Sequence, residues 1–208
     1  MTGYSMTFRQ ISLFARVLTW CGFRVMAFEY DRDVLIGGVP QYLVDAIEYV
    51  TGQVSNDIKT HGVAGLYGIS LGTMFAYHAL KLDGIDKAIF SAGGCPLLRA
   101  VWDVPADGPA RRNYQKNGYD RAAVEKIWKG YDITPGPHDL SGKRLLLLIS
   151  ESDMVIPNDF VQENIKLWGA EQNQLKVVTM KHLSHPVLIV RNMFRVYKTI
   201  QFYRHEGV

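Results

Sequence analysis

Only two cysteines occur in the 208 residues, Cys21 and Cys95, and they stand far apart. That excludes a disulfide framework and the paired spacing of a zinc or iron–sulfur site, and it fits a reducing compartment. An excess of one charge is lacking too: 23 Lys and Arg face 20 Asp and Glu, for a formal net charge of +3. The basic residues are scattered among carboxylates, so no stripe is there to hold nucleic acid, and no such partner is expected. Long apolar runs are also missing. The stretch from Ile11 to Phe28 is broken by Arg16 and Arg24 and no small-residue cleavage site follows it, so it reads neither as a signal peptide nor as a membrane span. These absences lead to the expectation of a cytoplasmic chain without a membrane span. Oligomeric state is not written in any of them.

What is present is the balance of a folded globular protein, with 48% hydrophobic and 21% charged residues. A chain of this length buries one core, so residues 1–208 read as a single domain. Short apolar runs rich in branched residues alternate with stretches of helical period, the pattern of a mostly parallel α/β sheet flanked by helices on both faces. The strand candidates are Phe23 to Glu29, Val63 to Tyr67, Lys87 to Ser91, Arg144 to Ser150 and Leu175 to Met180. Helices are expected around Phe8 to Cys21, Tyr42 to Val50, Thr73 to Leu82, Arg121 to Lys129, Asn158 to Trp168 and Pro186 to Tyr203. Between Gly94 and Gly142 five prolines and several glycines interrupt this rhythm. Residues 95–141 are therefore expected to form a small cap or lid insertion. Its Trp102, Tyr114, Tyr119 and Trp128 offer apolar walls, and Arg99, Arg111 and Arg112 offer anchors for an anion.

After the second strand candidate comes Gly68-Ile69-Ser70-Leu71-Gly72, and a helical stretch follows at once. A serine at a sharp strand-to-helix turn stands clear of the sheet, and flanking glycines let strand and helix approach closely. The same turn aims the first N–H groups of the helix at the place where negative charge develops during acyl transfer. A hydroxyl is a poor nucleophile at neutral pH, so a histidine must take its proton and a carboxylate must hold that histidine. Arg144 to Ser150 empties into Glu151, Ser152 and Asp153. Asp153 is the expected acid and Glu151 the alternative. Leu175 to Met180 runs into His182 and His185, with Pro186 suited to the first turn of a helix. His185 is the expected base and His182 its alternative, since reach comes before pKa in general-base work.

The order nucleophile, acid, histidine, each at a strand end, resembles the α/β-hydrolase superfamily over most of the chain. The resemblance implies a serine hydrolase of the carboxylesterase kind, acting through an acyl-enzyme on a small-molecule acyl substrate, with no cofactor and no metal. It also implies an oxyanion hole from the backbone amides of Tyr4 and Leu71, because Thr2-Gly3-Tyr4-Ser5 is similar to the family's His-Gly-aromatic loop with Thr2 in place of the histidine. Gly22 to Tyr30 looks like the next family strand, and Ile133 to Pro157 resembles the approach to the acid in small esterases and serine-peptidase-like members. One departure stands out: the family's oxyanion loop follows a central strand, whereas here the sequence opens on the loop. The resemblance thus implies N-terminal strands upstream of this reading frame. Acyl transfer to an alcohol or thiol, peptide cleavage, and a non-catalytic binding role on the same fold stay open at this point.

Overall fold

The computed structural model describes residues 8–31, 33–63, 65–105, 108–134, 140, 142–169 and 175–204, with side chains from residue 12 onward. Four parallel strands form one sheet in the order β1 (Leu66–Ile69), β2 (Lys87–Ser91), β3 (Arg144–Ser150) and β4 (Leu175–Met180). Each strand is followed by a helix, the connection that parallel pairing demands. Helices α1 (Phe8–Trp20), α2 (Asp33–Ile36) and α3 (Gln41–His61) precede the sheet, and α4 (Gly72–Leu80) follows β1. Between β2 and β3 lie α5 (Leu97–Asp103), α6 (Gly108–Lys116) and α7 (Arg121–Trp128). Then come α8 (Asn158–Gly169) after β3, and α9 (His185–Met193) and α10 (Val196–Arg204) after β4.

The unbroken apolar strands are explained by burial on both faces. In β2 and β3, Ala88, Phe90, Leu145, Leu147 and Ile149 point into the larger core with α3 to α8, while Ile89, Leu146 and Leu148 point the other way. There they meet Met180 and, from α9, Leu188 and Ile189. This period of two places one helix layer on each side of the sheet. No helix among the described residues is long and apolar enough to cross a membrane.

Four expectations change. The second strand, expected over residues 63–67, runs instead over Leu66–Ile69. Residues 23–29 join no β ladder; the stretch from 23 to 31 is irregular, and β1 is paired only with β2 among the described residues. A ladder needs a neighbour about 4.8 Å away, and a groove of about 370 Å³ separates the two segments. The helix expected over residues 42–50 continues to His61, because Val54 is buried and Ile58 packs on the same core. Burial of that stripe outweighs the cost of about 1 kcal/mol that Gly52 brings to an exposed helix position. The last expected helix is two: α9 stops at Met193, and Arg195 N–H turns back to the Asn192 carbonyl three residues away.

The segment 95–141 holds three helices packed against α2 and α3. Tyr114 and Trp128 are fully buried, and each polar atom is satisfied: the Tyr114 hydroxyl donates to Leu35 O and the Trp128 indole N–H to Pro40 O. Trp102 stacks on Tyr114. Arg99 lies over the Phe160 ring and pairs with Glu163, and Arg111 donates to the Trp102 carbonyl. Tyr114 and Trp128 are thus core residues in this structure.

Candidate functional site

β1 ends in a turn held by hydrogen bonds around Ser70 and by the close approach that Gly68 permits. Ser70 adopts a left-handed backbone with φ of 52°, which costs a non-glycine residue energy and persists only where the surroundings hold it. Its N–H donates to the Ser91 carbonyl at the end of β2 (2.8 Å), and its own carbonyl accepts from the Thr73 hydroxyl (2.7 Å). Thr73 in turn accepts from Gly94 N–H (3.1 Å). A Cβ on Gly68 would lie 2.7 Å from Thr73 Cα and 2.9 Å from Ala76 Cβ, so only glycine lets α4 pack this close. Gly72 differs from the expectation: a Cβ there meets no described atom within 4 Å.

Above this turn three loops converge. Ser70 Oγ is 2.9 Å from His185 Nε2, and His185 Nδ1 is 2.7 Å from Asp153 Oδ2. His185 and Asp153 are buried, with side chains 2% exposed, while Ser70 is half-buried. Water therefore competes weakly for the His185–Asp153 bond. The second carboxylate oxygen of Asp153 accepts from Val155 N–H and Ile156 N–H, both at 2.9 Å, which fixes the carboxylate plane. With Nδ1 donating to Asp153, Nε2 is left as the acceptor facing the serine hydroxyl.

The alternatives fall elsewhere. Glu151 is exposed, its N–H tied to the Met180 carbonyl (3.0 Å). His182 is exposed in the turn after β4, at φ of 57°. Leu71, the residue ahead of α4, is buried, and its N–H donates to no acceptor among the described residues. Tyr4, with Thr2, Gly3 and Ser5, lies outside the described residues.

Two supports went unnoticed in the sequence. Ser150, at the end of β3, donates its hydroxyl to the Leu183 carbonyl (2.8 Å) and accepts from Leu183 N–H and Ser152 N–H, both at 3.3 Å. Thr73 braces the turn from beneath. Both act across loops distant in sequence, and a serine ending a strand or a threonine opening a helix carries no local mark of that role.

No family model and no curated protein sequence matches the chain. Solved structures do. The acylaminoacyl peptidase of Pyrococcus horikoshii superposes with a TM-score of 0.64 at 14% identity, over 86% of this chain and 31% of that one. A puromycin hydrolase superposes with 0.62 at 15% identity, over 83% and 26%. An esterase of Pyrococcus furiosus superposes with 0.50 at 14% identity, over 75% and 59%. The chain thus spans between about a quarter and three-fifths of the length of these proteins. A parallel sheet with helices on both faces, superposing on these structures, identifies the chain as having the α/β-hydrolase fold.

Proposed function

We propose that the chain is a serine hydrolase that cleaves an ester or related acyl bond through an acyl-enzyme on Ser70. The observation that carries this reading is the unbroken hydrogen-bonded line from Ser70 Oγ through His185 to Asp153, at 2.9 and 2.7 Å. In the first step the Ser70 oxygen bonds to the substrate carbonyl carbon while its proton passes to His185 Nε2. Asp153 stays ionised and stabilises the imidazolium. The oxyanion is met by the Leu71 N–H, and the second donor is assigned to Tyr4. Collapse of the adduct breaks the bond to the leaving group, which takes the proton from Nε2. Water then gives its proton to Nε2 and attacks the acyl carbon. When the Ser70 bond breaks, Nε2 returns that proton to the serine oxygen.

His182 and Glu151 have no part in this line. The names of the structural neighbours, a peptidase, a puromycin hydrolase and an esterase, bear on which acyl bond is cut. Each joins an acyl or aminoacyl carbon to an oxygen or nitrogen, and the same three residues serve either leaving atom. A panel of p-nitrophenyl esters of rising chain length, beside aminoacyl p-nitroanilides, tests the proposal on the chain and on Ser70→Ala. Turnover of at least one class that disappears in Ser70→Ala is expected. Equal turnover by both proteins would contradict it. Adding an alcohol or thiol acceptor distinguishes hydrolysis from acyl transfer by the product released.

A further inference from the structure

Four residues of α9 are buried: His185, Leu188, Ile189 and Asn192. They fall at i, i+3, i+4 and i+7 on one face of the helix, and Asn192 stands two turns, about 10 Å, beyond the base. Leu188 and Ile189 pack with Ile89, Leu146 and Leu148 of the sheet, as an apolar face should. Asn192 breaks that pattern. It is 0% exposed at the end of an apolar stripe, where an amide is costly unless it is hydrogen-bonded.

Its bond reaches a particular residue. Asn192 Nδ2 donates to Ser91 Oγ at 2.9 Å, and Ser91, the last residue of β2, is itself fully buried. The carbonyl of the same serine accepts from Ser70 N–H at 2.8 Å. One residue thus holds the nucleophile through its main chain and the helix of the base through its side chain. The 2.9 Å contact between Ser70 Oγ and His185 Nε2 closes these links into a ring that runs from Ser70 through Ser91, Asn192 and α9 to His185. Neither Thr73 nor Ser150 spans nucleophile and base in this way: the first braces the turn, and the second joins the loops of acid and base.

Energetics separate a positional role from a stabilising one. Replacing both partners of a buried hydrogen bond by apolar groups of similar shape is close to neutral for stability. Asn192 Oδ1, moreover, finds no donor among the described residues, so a leucine would suit the stripe at least as well as packing. What the amide adds is direction. Apolar contacts tolerate a small slide or turn of a helix, whereas a hydrogen bond weakens steeply once its length and angle change. A displacement of about 1 Å between reacting groups can cost about 100-fold in rate.

Resting on the reading of Ser70 as nucleophile and His185 as base, we propose that Asn192 and Ser91 are positioning residues. Their bond sets where α9 lies along the sheet, and with it the distance from His185 Nε2 to Ser70 Oγ. Both are fully buried and act through the histidine and the serine.

The test reads reaction and stability separately, with a fluorophosphonate as the probe of Ser70 and urea denaturation as the probe of the fold. Asn192→Leu, Ser91→Ala and the double variant are compared with the parent. The maximal rate of labelling is expected to fall about tenfold in each, while the reagent concentration giving half that rate changes less than about twofold. Because both substitutions break one bond, the double variant should react no more slowly than the single ones, and its stability should equal or exceed theirs. Ile189→Val trims the same helix face without touching the bond; it should lower stability and leave labelling within about twofold of the parent. Should Asn192→Leu not fold, Ser91→Ala breaks the same bond and carries the expectation. Labelling at the parental rate in either folded single variant overturns the proposal. So do losses that follow stability across all the variants, Ile189→Val included, which would leave the pair as packing alone. A parent that takes no label overturns the hydrolase reading and this proposal with it, whereas a labelled parent with unaffected variants overturns the positioning role alone.

Discussion

The Ser150 hydroxyl donates to the Leu183 carbonyl at 2.8 Å, and this bond ties the loop carrying Asp153 to the loop carrying His185. Ser150 is three residues before the acid, and Leu183 is two before the histidine. The 2.7 Å contact between imidazole and carboxylate is therefore set by two loops braced at their base as well as by the contact itself. Ser150→Ala is expected to lower kcat by about 5–10-fold, the equivalent of about 1 kcal/mol for one buried hydrogen bond. KM should change less than twofold. A loss confined to KM, with kcat intact, would place Ser150 outside the support of the site.

Asp153→Asn keeps the size of the side chain and can reverse the donor and acceptor roles at Nδ1, leaving Nε2 protonated toward Ser70. A fall in kcat of about 10⁴-fold is expected, with the chain still folded by circular dichroism. Glu151→Gln, at an exposed position on the same loop, should stay within threefold of the parent. Comparable losses in the two variants would remove the assignment of the acid.

Gly68 and Gly72 belong to one motif and are expected to behave differently. Gly68→Ala sets a methyl against Thr73 Cα and Ala76 Cβ, inside contact distance, and should cost about 2–3 kcal/mol in urea denaturation. Gly72→Ala meets open space at the first position of α4 and should leave stability unchanged or raise it by up to about 1 kcal/mol. Equal destabilisation by both would contradict the packing described for the turn.

Asp132 accepts from Leu97, Leu98 and Ile133 N–H groups and so joins the start of α5 to the end of the 95–141 segment's helical part. Asp132→Ala leaves three donors without their acceptor, for an expected loss of about 2–3 kcal/mol, or about 4–12 °C in Tm. Burial holds the carboxyl above its ordinary value despite these bonds. The folded chain then takes up this proton at a higher pH than the unfolded chain, and the contribution of Asp132 to stability grows as pH falls through that window. The gap between parent and variant should widen on mild acidification. A gap that narrows would reverse the sign of the burial effect.

Much of the sheet was legible in the sequence because β2 and β3 are buried on both faces, so their apolar runs have sharp ends at Lys87 and Ser91 and at Arg144 and Ser150. The turn at Ser70 was legible because its demands are local: glycine at 68 where α4 comes close, and a strand and a helix on either side. Residues 23–29 read as a strand for the same compositional reason, yet they pair with nothing described. A strand is a relation between two segments, and sequence pattern reports only one of them. Ser150, Thr73 and Asp132 were invisible for a related cause, since each serves groups brought near by the fold alone.

Labelling by a fluorophosphonate tests the central claim most directly, because the reagent bonds only to a serine whose proton a base can take. The chain should be labelled at Ser70, with labelling abolished in Ser70→Ala, reduced at least 100-fold in His185→Ala, and unchanged in His182→Ala. Labelling that survives His185→Ala and vanishes in His182→Ala, in protein shown to be folded, would contradict the account.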